Sequence, residues 1–166
     1  VTETRLLILD IDGTVRHGRD DLGRFVNCVD DVIVFSGAVD RMRAWKAAGG
    51  RIIGVSNQGG VGLGLVPATD VAMAMIETER QCVDTDGRAL FDAVAYCEHA
   101  PDNRACWCRK PLPGLVFQLL ARLELTHPAE MYPRGEAVLV GDRQDDVDLA
   151  AVLDVPFQWA QDWRNA

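Results

Sequence analysis

Four short apolar runs, each of strand length and each handing over to a polar residue, constrain this chain more than any other feature. Arg5 to Leu9 runs into Asp10, Arg51 to Val55 into Ser56, Phe91 to Tyr96 into Cys97, and Ala137 to Val140 into Gly141-Asp142. Between them lie segments with helical spacing and helical punctuation. Ala38 to Ala48 stops at Gly49-Gly50, and Val71 to Val83 follows Pro67. Pro111 to Leu125 carries two prolines near its first turn, and Asp145 to Leu153 follows the fourth run. Val155 to Trp159 reads as a short fifth strand. Strands that alternate with helices build a parallel sheet covered on both faces. The expected fold is therefore α/β, a Rossmann-like three-layer sandwich with a mainly parallel sheet. Sheets of this kind bind ligands beyond the carboxyl ends of their strands, which is where the four polar residues stand.

A chain of 166 residues suits one domain with a core of its own, spanning 1–166. No insertion is long enough for a separate cap domain, so the expectation is a capless site. Val15 to Asp31 lacks clear periodicity and reads as a flap beside it. The apolar runs fall far short of the roughly 18 residues a membrane span requires. Val1 to Asp10 shows no basic region followed by a long apolar stretch, and the expected location is the cytoplasm. A net charge of −8 argues against a broad surface for nucleic acid or anionic membrane. Oligomeric state is not legible.

Asp10-Ile11-Asp12-Gly13-Thr14 places two carboxylates at the end of the first strand, with a glycine to turn the chain. Close carboxylates repel, and a divalent cation relieves that cost. Oxygen ligands suit Mg²⁺, which takes one or two carboxylates and keeps several waters. The alternative is a polar turn. Ser56-Asn57-Gln58-Gly59-Gly60 offers a hydroxyl and unencumbered backbone N–H groups to phosphate oxygens, or is a loop capped by Ser56. Arg109-Lys110 puts two cations where a helix begins, against the positive end of its dipole, which suggests an anion to be held, or else a pair of solvated surface charges. The chain has fifteen arginines and two lysines, so Lys110 marks a place that wants an ammonium. Gly141-Asp142-Arg143 follows the fourth strand with Asp142 as the metal candidate, while Asp145 or Asp146 suits helix capping. Three of the five cysteines lie close together. Cys97 and His99, then Cys106 and Cys108, form two ligand pairs around a six-residue loop, and three thiolates with one imidazole are a closed tetrahedral set for Zn²⁺. A disulfide or unconnected thiols are the other readings.

Taken in order, these segments resemble the four motifs of the haloacid dehalogenase superfamily of phosphatases. The resemblance implies a magnesium-dependent phosphomonoesterase with Asp10 as nucleophile and Asp12 as general acid and base. Ser56 and Lys110 would orient and neutralise the phosphoryl group, with Asp10, Asp12 and Asp142 at Mg²⁺. Asn57, Gln58, Arg109 and Arg143 would contact substrate. The Cys97–Cys108 loop and the Cys-Arg-Lys-Pro junction are similar to the capless heptose-bisphosphate and histidinol-phosphate phosphatases, in which the zinc is structural. Ile11 stands where those enzymes usually have arginine, Ser36 where they have proline, and the flap matches neither. The implied substrate is a small phosphorylated metabolite. The rival readings are a polynucleotide 3′-phosphatase, which the acidic charge disfavours, and a non-catalytic zinc-stabilised binding domain.

Overall fold

The computed structural model describes residues 5–19, 26–124 and 137–166. Its centre is a five-stranded sheet in the order β5-β4-β1-β6-β7, every pairing parallel. The strands are β1 (Leu6–Asp10), β4 (Arg51–Asn57), β5 (Ala93–Cys97), β6 (Ala137–Gly141) and β7 (Phe157–Trp159). A small antiparallel pair, β2 (Arg16–His17) with β3 (Ile33–Val34), stands apart from it. β2 lies within the segment Val15 to Asp31 read as an aperiodic flap and β3 just after it, and residues 20–25 of that segment lie outside the described residues.

β1 is buried along its whole length because helices cover both faces, so its sequence is a continuous apolar run rather than an alternation. Successive side chains go to opposite faces. Leu6 and Ile8 join one core with α4 (Gly114–Arg122) and α5 (Gln144–Leu153), through Leu115, Leu119, Leu149 and Leu153. Leu7 and Leu9 join the other with α1 (Ser36–Ala47), α3 (Ala68–Gln81) and α6 (Ala160–Asn165), through Met42, Met75 and Trp163. This is the three-layer sandwich.

Three elements differ from the sequence reading. The glycine-rich stretch expected as an open loop forms a short helix, α2 (Gly59–Gly62). Its glycines answer to packing. A Cβ on Gly62 would overlap the backbone of Glu98 to Ala100, and one on Gly59 would crowd Arg109 Nη1 and the His99 carbonyl. The fourth helix begins at Gly114 rather than Pro111, because the backbone at Lys110 is bonded elsewhere and Gly114 tucks its N–H under the Trp107 carbonyl at 3.2 Å. The last six-residue helix, α6, carries too short a pattern to be read from sequence.

Candidate active site

β1 lies in the middle of the sheet, with β4 on one side and β6 on the other. Its last residue, Asp10, therefore meets the residues that follow both neighbours. Leu9 pairs with Val140, so Asp142 emerges just beyond, beside Asp10. Two glycines permit this approach. Gly13 has a φ of +86°, and a Cβ there would overlap the Asp142 carboxylate. A Cβ on Gly141 would likewise overlap Asp146.

The floor of the site is a buried lysine between carboxylates. Lys110 Nζ donates to Asp10 Oδ1, to Asp146 Oδ1 at 2.7 Å and weakly to the Val55 carbonyl at 3.5 Å. Asp10 and Lys110 are each only 5% exposed and Asp146 only 1%. The second oxygen of Asp10 accepts a bond from Thr14 Oγ1 at 2.9 Å. The second oxygen of Asp146 accepts the N–H groups of Asp142 and Arg143, both at 3.2 Å, capping α5. Asp146 thus serves as cap and lysine partner at once. Sequence reading gave it only the first role, since nothing in the spacing places Lys110 within reach.

Asp10, Asp142 and Asp146 bring one carboxylate oxygen each to within 4.8 Å of one another. Asp12, expected among the metal ligands, is not part of this group, and its carboxylate is bonded to other side chains. Its Oδ2 accepts from Gln58 Nε2 at 2.6 Å and Ser56 Oγ at 3.1 Å, and its Oδ1 from Arg16 Nε at 2.8 Å. Gln58 and Ser56, expected at the substrate, are in the first instance partners of Asp12. Asn57, also expected to contact substrate, lines the same site and is held by the Lys110 backbone. Both ends of its amide are spent on the Lys110 backbone, Oδ1 accepting the N–H at 2.9 Å and Nδ2 donating to the carbonyl at 3.1 Å.

Charge in this floor is unbalanced, three carboxylates facing one ammonium. Burial pushes Asp10 up to about 7, with Asp146 and Asp142 adding to the shift and Lys110 opposing it. Burial also raises Asp142. For Lys110, burial works against the charge, but Asp10 and Asp146 outweigh it and hold the ammonium above its ordinary range. A hard divalent cation among these oxygens would supply the missing positive charge, and oxygen donors are the kind Mg²⁺ takes.

The floor borders a cavity of about 630 Å³, whose lining includes Asp10, Asp12, Ser56, Lys110, Arg109, Arg143 and Asp145. Buried Arg109 Nη1 has no hydrogen-bond partner among the described residues. Beside the cavity, Cys97, His99, Cys106 and Cys108 gather their donor atoms into one cluster. Neighbouring separations are 3.4 Å for Cys97 Sγ to His99 Nδ1, 3.2 Å for His99 Nδ1 to Cys108 Sγ and 3.3 Å for Cys106 Sγ to Cys108 Sγ. Ligands at about 2.3 Å for sulfur and 2.0 Å for nitrogen stand roughly 3.5–3.8 Å apart around a tetrahedral zinc, so the cluster has the right size and chemistry. None of the five cysteines is in a disulfide. Arg109 N–H, directly before Lys110, donates to Cys106 Sγ at 3.3 Å.

No family model matches the chain. Among curated proteins, it is 34% identical over 144 residues to the D-glycero-alpha-D-manno-heptose-1,7-bisphosphate 7-phosphatase of Mycobacterium tuberculosis, covering 87% of this chain and 70% of that one. The chain belongs to this phosphatase family. It is also 33% identical over 153 residues to the histidine biosynthesis bifunctional protein HisB of Legionella pneumophila, covering 92% of this chain and 40% of that protein. In solved structures, D,D-heptose 1,7-bisphosphate phosphatase from B. bronchiseptica, complexed with magnesium and phosphate, matches with a TM-score of 0.74 at 27% identity, covering 93% of this chain and 79% of that one. A HAD-superfamily hydrolase from Ehrlichia chaffeensis shares the fold at 13% identity and a TM-score of 0.60, with 99% and 97% covered. The protein is thus an enzyme, a phosphatase of haloacid dehalogenase type, as the motifs implied. No helix among the described residues is long and apolar enough to cross a membrane.

Proposed function

We propose that this phosphatase hydrolyses a small phosphate monoester through a phosphorylated Asp10. The observation that carries the reading is the buried Asp10–Lys110–Asp146 floor, which opens on a cavity beside Asp12. Asp10 attacks phosphorus in line, the bond from phosphorus to the leaving oxygen breaks, and Asp12 delivers a proton to that oxygen. Asp12 then takes a proton from water as the water attacks phosphorus, releasing inorganic phosphate and free Asp10. Lys110 neutralises charge on the phosphoryl oxygens, and because it is fixed beforehand little reorganisation is needed. Ser56 and Gln58 hold Asp12 and stand at the cavity wall. Magnesium would be held by Asp10 and Asp142. Asp146 is already committed to Lys110 and to two N–H groups, which leaves it a poor ligand. When bound, the ion supplies electrostatic stabilisation to a transferring phosphoryl group.

The relatives point to a sugar phosphate of the heptose bisphosphate kind, with histidinol phosphate second. Arg109, whose buried Nη1 lacks a partner among the described residues, and Arg143 fit a second anionic or polar group on the substrate, so that binding energy remote from phosphorus aids catalysis. Cys97, His99, Cys106 and Cys108 would hold a structural zinc. Phosphate release from heptose bisphosphates, histidinol phosphate and a 3′-phosphorylated oligonucleotide, with and without Mg²⁺, tests the assignment. Turnover of a small ester that vanishes with EDTA and returns with Mg²⁺, zinc content being followed throughout, is the expected result. Full activity in metal-free protein, or turnover of the oligonucleotide alone, defeats it.

A further inference from the structure

The chain that leaves β1 folds back on itself. The N–H of Gly13 bonds to the Arg16 carbonyl at 2.8 Å, and the N–H of Arg16 to the Ile11 carbonyl at 3.0 Å. This tight return sets two side chains against the two aspartates four residues before them. Thr14 meets Asp10 and Arg16 meets Asp12.

Arg16 has no exposed surface and heads the largest fully buried side chains of the described residues. A guanidinium without water must have its charge paired and its N–H groups bonded, or the fold bears a heavy desolvation cost. Four of its bonds can be named. Nε donates to Asp12 Oδ1 at 2.8 Å and Nη2 to Asp12 Oδ2 at 3.4 Å, a two-point grip on one carboxylate. Nη1 donates to the Ala74 carbonyl at 2.9 Å and to Thr78 Oγ1 at 2.8 Å, both on α3. Thr78 Oγ1 gives its own proton to Ala74 O at 2.7 Å, and so is an acceptor for Arg16. The Asp12 side chain is 13% exposed and faces the cavity. The guanidinium is therefore shut away from substrate, while the carboxylate it holds is not.

We propose that Arg16 is a positioning residue for the acid–base step: it anchors the Asp12 carboxylate to helix α3 and fixes where that group meets the leaving oxygen and the attacking water. This rests on Asp12 being the acid and base. A fork fixes both oxygens of a carboxylate, whereas the single ammonium of lysine does not. Loss of the grip should leave substrate binding intact and misplace the proton transfers of both half-reactions.

The test is Arg16→Lys, with Thr78→Val as a second variant that removes one Nη1 partner and retains the shape of the side chain. Steady-state turnover of an alkyl phosphate should fall by about 100-fold in Arg16→Lys, with KM changed by less than about threefold. p-Nitrophenyl phosphate separates positioning from general damage, because p-nitrophenolate leaves without a proton. Asp10 should still be phosphorylated by it while hydrolysis of the aspartyl phosphate is slow. A burst of about one nitrophenolate per enzyme is therefore expected, followed by a slow steady state. Should Arg16→Lys fail to fold, Thr78→Val decides, with an expected loss of about fivefold and the same burst. Wild-type turnover without a burst in the folded variants overturns the proposal. Asp12→Asn keeps the two claims apart: if that variant retains turnover, the acid–base assignment itself fails. If it is inactive while Arg16→Lys is normal, only the role of Arg16 is refuted.

Discussion

Two regions of this molecule order themselves in opposite ways. In the Asp10–Lys110–Asp146 floor, Asp10 ends β1 and Asp146 lies in the first turn of α5, with a hydrophobic layer on either face of the sheet, so the place of these two carboxylates follows from strand register and packing. The Cys97–Cys108 loop has almost no regular structure between β5 and Lys110, and of its four metal-ligand candidates Cys97 is buried, Cys106 and Cys108 are partly buried against the core and His99 is exposed. Its donor atoms converge on one point, where a metal ion would order it. Both regions meet at Lys110, whose ammonium belongs to the floor and whose neighbour Arg109 bonds to the sulfur of Cys106. A cation on a loop can thus be placed as accurately as one on a strand, provided something other than the core stiffens the loop.

The sharpest test of the difference is Asp10→Asn. An amide is no nucleophile, and activity should drop by more than about 1000-fold, with the melting temperature unchanged or higher because burial already disfavours the charge on Asp10. A folded Asp10→Asn protein with wild-type phosphate release would remove the floor from the chemistry.

Cys106→Ser should do the reverse. Stability should fall by about 2 kcal/mol or more in a denaturant titration as the zinc is lost, while the folded fraction keeps measurable turnover with a raised KM. Elemental analysis of protein purified without added metal should find one zinc per chain. Absence of zinc, or equal stability of variant and parent, would show that the loop is ordered by something other than metal.

Between the two lies Asn57→Ala. Removing the amide leaves the Lys110 N–H and carbonyl without their partners, so a loss of about 1–3 kcal/mol is expected, and kcat should fall by about tenfold as the ammonium drifts. Equal kinetics would mean that zinc and the floor suffice to hold Lys110.

The smallest effect should come from Asp92, far from both regions. Its carboxylate accepts from Lys46 Nζ, Arg51 Nη1 and the Ile52 N–H, and although burial opposes the charge, these partners hold it below its ordinary range. A carboxylate lowered in the folded state contributes stability above its unfolded pKa of about 3.9, and that stability is lost as pH falls through the folded value. Asp92→Asn should therefore cost about 1 kcal/mol at pH 7, and the stability curves of variant and parent should converge below about pH 4. Activity should not change. Parallel curves down to pH 3 would contradict the sign.

Much of this was legible in the chain itself. Apolar runs with polar exits at Asp10, Ser56, Cys97 and Asp142 specify a parallel sheet with a site on one edge, because period and punctuation are local properties. The paired Cys and His ligands are legible for the same reason. Contacts made across distance were not. Arg16 looks like one more charge in an aperiodic flap, and nothing in its spacing shows that a tight return after Asp12 will bury it. Asn57 looks like a substrate contact, and nothing in its spacing shows that its amide will also hold the Lys110 backbone. Gly59 looks like part of a phosphate cradle until Arg109 Nη1 and the His99 carbonyl are found pressed against it. Asp146 looks like a cap, and is one, but only the sheet order brings it to Lys110. Sequence by itself determined which chemistry could be assembled, since residue types and strand ends are written along the chain. Tertiary structure decided which partner each polar group takes, because a buried donor or acceptor must be satisfied by whatever the packing brings within about 3 Å.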